Sequence, residues 1–509
     1  MVEQLHEFAA RQLTGDQRRA PRVNGDRLWT SLERMAQIGA TLKGGVCRLA
    51  LTELYRESRD LFAQWARDAG CTVRVDQMGN VFARRAGRDP HAAPVMTGSH
   101  ADSQPTGGRY DGIYGVLGGL EVVRALNDAR VETERPIDVV IWTNEEGSRF
   151  APAMIASGVF EGVYTLEYGL SRADGAGTTI GDALARIGYA GVEPVGGYPV
   201  HAAYELHIEQ GAILERAGKT IGVVTAGQGQ RWYEVTLTGV DAHAGTTPMA
   251  FRRDALVGAA RMIEFVDALG RRHAPHARAT VGMIEARPNS RNTVPGGCFF
   301  TIECRHPDDA VLDAMDAALR GELERIAAQA GLAAQIEQIF RYPPVPFAPR
   351  CVDAVREAAD ALGLPHADIV SGAGHDACYL ARIAPTGMIF VPCVDGLSHN
   401  EAEAITPEWA EAGANVLLRA VLASAQEPAR LTACRLAAAD PAPQVGRAPT
   451  RTVTRHLPFP LPPRLFPAGC IFVTRMRTKV DTRCVSIFRC RAIRALPSRH
   501  HAVCGRAVR

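Results

Sequence analysis

Six side chains that can ligate a metal or move a proton stand where short apolar runs end. His100 follows Pro94-Val-Met-Thr-Gly98 within Thr97-Gly-Ser-His-Ala-Asp102, and Asp111 closes Gly107-Gly-Arg-Tyr-Asp. Glu145 and Glu146 end Ile137-Asp-Val-Val-Ile-Trp-Thr, His207 lies in Ala203-Tyr-Glu-Leu-His-Ile-Glu209-Gln210-Gly, and His399 in Gly396-Leu-Ser-His-Asn-Glu401. An imidazole binds a metal through one nitrogen, and a nearby carboxylate can hold the other and fix the tautomer; Asp102 stands in that position beside His100. Two adjacent carboxylates repel when unpaired, and a cation offsets the repulsion. Neighbouring residues on extended chain point in different directions, so one Glu can ligate while the other faces a water. Two divalent ions about 3.5–4 Å apart need roughly this set, with Asp111 as the bridge and one carboxylate spare as general base. Singly, each group has an ordinary explanation as a polar loop, a solvated acidic turn or a satisfied edge histidine. Six of them gathered in five such segments do not.

The elements that must position them read as an α/β sheet, in which ligands bind beyond the carboxyl ends of strands. Val95 to Thr97, ended by Gly98, the 137–143 run, the 203–208 run and Met388-Ile-Phe-Val are buried strands. Helices are expected over 26–36, 51–69, 112–127, 352–363 and 407–425, with a hairpin around Met78-Gly79. Gly115, Gly118 and Gly119 lack the Lys-Ser/Thr of a phosphate loop and read as close packing of helix on sheet. Between Thr225 and about residue 340 the pattern changes. A strand at 232–239, a helix at 254–269, strands at Ala279–Glu285 and 298–305 and a helix at 309–331 make a smaller α+β unit inserted into the larger one. The divisions expected are 1–224 and 341–425 for the larger domain, 225–340 for the insert and 426–509 for a basic tail.

The chain has 509 residues and a net charge of +2, with charged residues at 22%. Its last 79 residues carry 15 Lys/Arg against Asp440 and Asp481, which leaves about −11 on the rest. An acidic body of this kind is a poor nucleic-acid binder. The tail shows no helical or strand period and is expected to be an unstructured extension, a nucleic-acid tether being the alternative. No apolar run approaches the roughly 20 residues of a membrane span. The N-terminus lacks the apolar core of a secretory signal, and the seven cysteines before residue 430 form no CxxC pair. Reduced thiols in the cytoplasm are the expectation.

The segments Gly98-Ser-His-Ala-Asp-Ser-Gln-Pro-Thr-Gly-Gly-Arg-Tyr-Asp-Gly, Asn144-Glu-Glu-Gly-Ser-Arg-Phe, Leu206-His-Ile-Glu-Gln-Gly, His243-Ala-Gly-Thr-Thr-Pro and Ser398-His-Asn-Glu occur in this order. They resemble the hydantoinase/carbamoylase amidases of the dinuclear M20 metallopeptidase family over residues 20–425. The resemblance implies a dinuclear metallohydrolase catalytic domain with an inserted lid and dimerisation domain. It implies His100, Asp111, Glu146, His207 and His399 as ligands of two divalent ions (Zn, Mn, Co or Ni), and Glu145 as general base. Gln210, Asn292 and Arg305 would bind substrate, and His243 would reach the partner's site in a homodimer. Gly227, Gly229 and the Arg341-Tyr-Pro-Pro region would be lid hinges. The implied reaction cleaves the ureido C–N bond of an N-carbamoyl amino acid, with allantoate or, further off, a dipeptide or acylated amino acid as alternative substrate.

Overall fold

The computed structural model describes residues 20–428, so the expectations for the N-terminal segment and for the tail beyond 428 lie outside the described residues. The apolar runs form strands β1 (Thr72–Val75), β2 (Val81–Arg85), β3 (Val95–His100), β4 (Ile137–Trp142), β5 (Ala202–Ile208) and β6 (Ile221–Gly227) of a large sheet. A smaller sheet and ribbon follow in β7 (Gly229–Thr238), β8 (Ala242–His243), β9 (Arg278–Thr280), β10 (Ile284–Arg287), β11 (Thr293–Val294), β12 (Gly297–His306) and β13 (Ala333–Tyr342). The chain then returns to the large sheet with β14 (Val345–Pro346), β15 (His366–Ser371) and β16 (Thr386–Val391). The main helices are α1 (Gly25–Ala36), α2 (Glu53–Asp68), α3 (Ile113–Asp128), α4 (Ala255–Arg272), α5 (Asp309–Ala330), α6 (Pro349–Ala361) and α7 (Pro407–Ala425).

The large sheet has nine strands in the order β1-β2-β4-β3-β5-β16-β6-β14, with β15 also on β6. β3 is parallel to β4 and β5, and β5 to β16, which brings their carboxyl ends to one edge. These four central strands are buried along their whole length, as expected where both faces are covered. α3 and α7 pack against each other and over the central strands. The glycines of α3 allow this: a Cβ at Gly115 would stand 2.2 Å from the Leu206 carbonyl oxygen. Gly98 does not end its strand. It lies inside β3 at φ +142°, where a Cβ would meet the Val140 carbonyl oxygen at 2.1 Å. Glycine there permits strand pairing rather than stopping it.

In the small sheet the order is β10-β12-β7-β13, with β9 also on β12. α4 and α5 cover one face, burying Tyr233, Val235, Leu237, Phe300 and Ile302. Among the described residues α4 and α5 leave the other face uncovered, although Gln230 and Tyr342 on it are buried. The expected strand over Ala279–Glu285 is in fact two. Thr280 pairs with Glu303, but Ile284 pairs with Phe300, so one extra residue interrupts the register along β12. β13 was not expected from the sequence. The small sheet joins the large one through two neighbouring passages, Gly227 to Gly229 and Tyr342 to Val345.

Candidate metal centre and substrate cleft

All six strand-end groups meet at one edge of the large sheet. His100 Nε2 is 3.5 Å from Asp111 Oδ1, and His207 Nε2 is 3.1 Å from the same oxygen. His399 Nε2 is 3.3 Å from Asp111 Oδ2 and 3.4 Å from Glu146 Oε2. Asp111 therefore presents one oxygen to each of two donor sets, His100/Asp111/His207 and Asp111/Glu146/His399. Glu145 Oε2 lies 3.5 Å from His100 Nε2, so the two adjacent glutamates do diverge, one towards each set.

Backbone geometry fixes these positions. His100 ends β3 and His207 lies one residue before the end of β5. Asp111 sits one residue before Gly112, whose φ of +67° starts α3 beneath His100. A Cβ at Gly112 would fall 2.4 Å from His100 ring atoms, so only glycine leaves the imidazole its place. The His100 Nδ1–H donates to the Asp102 carbonyl (3.0 Å), and the His207 Nδ1–H donates to the Ile208 carbonyl (2.9 Å). Both Nε2 atoms are thereby turned to Asp111, where each could ligate an ion, and His207 Nε2 also accepts from the Gly112 N–H at 3.1 Å. The Asp102 carboxylate was expected to hold His100, yet its Oδ1 is 4.0 Å from Nδ1. It accepts instead from the Glu145 and Glu146 backbone N–H groups, at 3.3 and 3.2 Å. Asp102 thus supports the glutamate turn with its side chain and the histidine with its backbone.

The electrostatics of the cluster follow from burial. Burial alone would lower the His100 imidazole, but Glu145, Asp111 and Asp102 raise it well above the usual range. Burial would raise Asp111, and hydrogen bonds from three histidines hold it well below. Burial pushes Glu145 well above the ordinary carboxylate value, with Asp376 and Glu146 adding repulsion and His100 opposing. Glu146 rises to about 7 from burial and the charge of Asp111. Negative groups packed this closely hold protons that divalent cations would replace, and the His/carboxylate donors suit Zn, Mn, Co or Ni.

Several contributors were not anticipated. Glu403 accepts from the Tyr110 and Asp111 N–H groups (2.9 and 3.1 Å) and fixes the Asp111 turn. The Gln104 amide donates to Glu146 Oε2 at 2.6 Å. Buried His375 stacks edge-on to His207, ring centres 4.6 Å apart; burial and the His207 charge lower its pKa well below normal. Glu205, near both rings, is already engaged by the Ser99 hydroxyl and the Ala377 N–H. The His375-Asp376 pair in a small-residue turn was visible in the sequence and could have flagged this support.

The expected substrate residues divide. Gln210 Nε2 donates to Asp111 Oδ2 at 3.0 Å. Arg305 lines the same cavity of about 450 Å³ as the cluster. Its guanidinium contacts Glu303 Oε1 (2.7 Å) and the Gly372 carbonyl (2.7 Å). His243 and Asn292 are elsewhere. β8 pairs with β11 in a short ribbon where His243 faces Thr293 and Ala244 N–H donates to the Asn292 carbonyl. Both are exposed, and neither lines the cleft of the described chain. The His243 Nδ1 accepts from Gly245 and Thr246 N–H at 3.0 and 3.1 Å, which leaves Nε2–H as an outward donor.

A model of the peptidase family M20/M25/M40 matches residues 96–423. The N-carbamoyl-L-amino-acid amidohydrolase of Rhizobium meliloti is 52% identical over 405 residues, covering 80% of this chain and 97% of that protein. The allantoate amidohydrolase of Bacillus subtilis is 35% identical over 388 residues, 76% of this chain and 94% of that one. Among solved structures, an amidase of the hydantoinase/carbamoylase family from Burkholderia multivorans superposes with a TM-score of 0.78 at 70% identity, over 80% of this chain and 99% of that chain.

Proposed function

The chain belongs to the peptidase family M20/M25/M40, and from that premise we propose that it is a metal-dependent amidohydrolase that splits N-carbamoyl amino acids into amino acid, carbon dioxide and ammonia. The observation that carries this reading is the meeting of two donor sets on Asp111 with Glu145 beside them. His100, Asp111 and His207 would hold one divalent ion, and Asp111, Glu146 and His399 the second. Such a pair acidifies water towards neutral pKa and polarises a carbonyl.

The chain's own groups supply the rest. Glu145 takes a proton from the attacking water as its oxygen bonds to the ureido carbon. It passes that proton to the amino-acid nitrogen as the C–N bond breaks. Carbamate is released and decomposes. Arg305 pairs with the substrate carboxylate, and Gln210 orients the ureido group. His243 and Asn292 act from the partner subunit of a homodimer, the His243 Nε2–H stabilising the oxyanion. Their exposure on a satisfied ribbon supports that role. So do exposed apolar side chains in the same 225–340 segment, Met249, Phe251, Val257 and Ile284. The seven described cysteines are free, in keeping with a cytoplasmic enzyme, and no described helix is long and apolar enough to cross a membrane.

The test is ammonia release across N-carbamoyl α- and β-amino acids and allantoate, with metal added back to stripped protein. Release from N-carbamoyl α-amino acids is expected. Cleavage of dipeptides without ammonia from any ureido compound would overturn the reading; allantoate as the best substrate would shift it to the second named relative's activity.

A further inference from the structure

The open face of the small sheet carries an ordered grid towards the cleft. Glu303 on β12, Trp232 on β7 and Phe340 on β13 stand directly opposite one another across the sheet. Two residues along, Arg305, Gln230 and Tyr342 make a second such row. Alternate residues share a face, so the two rows form one surface. Its β12 edge is charged and its β13 edge aromatic. Phe340 owes its orientation to a bulge at Ile339: Ile336 pairs with Val235 on the helix-covered face, and the extra residue turns Phe340 to the cleft.

The two edges are tied together. Glu303 Oε1 accepts from the Trp232 indole N–H at 2.8 Å and from Arg305 Nε at 2.8 Å. Trp232 and Phe340 rings lie 5.1 Å apart. The large-sheet side answers with more apolar surface: Tyr379 packs edge-on to Tyr342 (6.0 Å), and Met154 and Tyr164 complete the lining. Apart from Glu303, all of these line the cavity that holds the metal-capable cluster.

We propose that this aromatic wall is the side-chain subsite, and that the preferred substrates are N-carbamoyl α-amino acids with a large aromatic or apolar side chain. The inference rests on the amidohydrolase reading above. A substrate with its carboxylate on Arg305 and its ureido carbon at the cluster has its α-substituent beside Trp232 and Phe340. N-carbamoyl-β-alanine has nothing to place there, and allantoate would bury a polar ureido group against rings that offer it few partners.

The test is the ratio of kcat/KM for N-carbamoyl-L-phenylalanine to that for N-carbamoylglycine, each by ammonia release from the metal-loaded full chain. The native ratio should exceed about tenfold, the scale of a buried side chain in such a pocket. Trp232→Ala and Phe340→Ala should each cut it by about tenfold, and Trp232→Phe should keep most of it. Trp232 is 42% exposed, so its truncation leaves no cavity in a core. A native ratio near one, faster turnover of N-carbamoyl-β-alanine, or a ratio unmoved by both alanine variants overturns the subsite and leaves the amidohydrolase reading standing; allantoate as the fastest substrate overturns the subsite and shifts that reading to allantoate. No ammonia from any ureido compound overturns that reading itself.

Discussion

The strand-end cluster and the β8–β11 ribbon both carry polar residues of the reacting kind, yet the fold treats them oppositely. In the cluster His100, Asp111 and His207 are buried and face one another, with charges that balance only when protons or cations are shared. On the ribbon His243 and Asn292 are exposed, and their hydrogen bonds are local. The first is a set of buried groups that could hold an ion; the second is an exposed set of donors. The contrast teaches that one chain gathers the two donor sets by itself, whereas His243 and Asn292 stay outside its cleft, and in the proposed reading a partner subunit's site is where they act.

The sharpest way to break that division is Glu145→Gln. It should lower turnover by about 10³- to 10⁴-fold, as loss of a general base does, while metal analysis still finds two ions per chain. A large residual rate would hand the base to another group. Next comes a mixing experiment. His243→Ala and Arg305→Ala should each be inactive alone. In mixed dimers one of two sites regains both residues, so about a quarter of native activity should return. Exchange of subunits without recovery would place His243 in its own chain's site.

The smallest effect sharpens the cluster's side. Burial and the Asp111 charge push both Glu146 and Glu403 to about 7. In the metal-free fold each binds a proton that the unfolded chain releases near 4.5, so stability falls as pH rises from about 4.5 to 7. For the histidines, burial opposes and the carboxylates raise His100 and His207; at His399 the Asp111 hydrogen bond leads the rise. Their contribution is present below about 6.5 and is lost as pH climbs through the raised folded values. Both trends have one sign. The gain in Tm on adding metal should therefore grow between pH 5 and 8; a gain that shrinks would contradict the cluster's electrostatics.

The large-sheet half was legible because buried parallel strands are continuous apolar runs, and the residues that end them stand out. His100, Glu145, Glu146 and His207 stood out at or near such ends, Asp111 and His399 in the loops that follow β3 and β16, and the structure brings all six together. Supporting groups were harder. Glu205 sits inside an apolar strand and Glu403 near the end of a loop, and neither breaks a pattern. The role of Asp102 was misread because sequence spacing cannot tell a carboxylate from its own backbone carbonyl. β13 escaped for a physical reason: it is a sheet-edge strand, and the Ile339 bulge shifts its alternation by one residue, so no period of two survives across it. The aromatic wall was therefore invisible as a wall, although Phe340 and Tyr342 were in plain view.

The close approach of Gly112 to the His100 ring has a practical reading for anyone wishing to retune this catalyst. Codon randomisation at 112 wastes its library, since each larger residue displaces an imidazole rather than reshaping a pocket. In the proposed subsite, diversity placed at 232 and 340 samples new side-chain preferences, because those positions line the cavity outside the two donor sets.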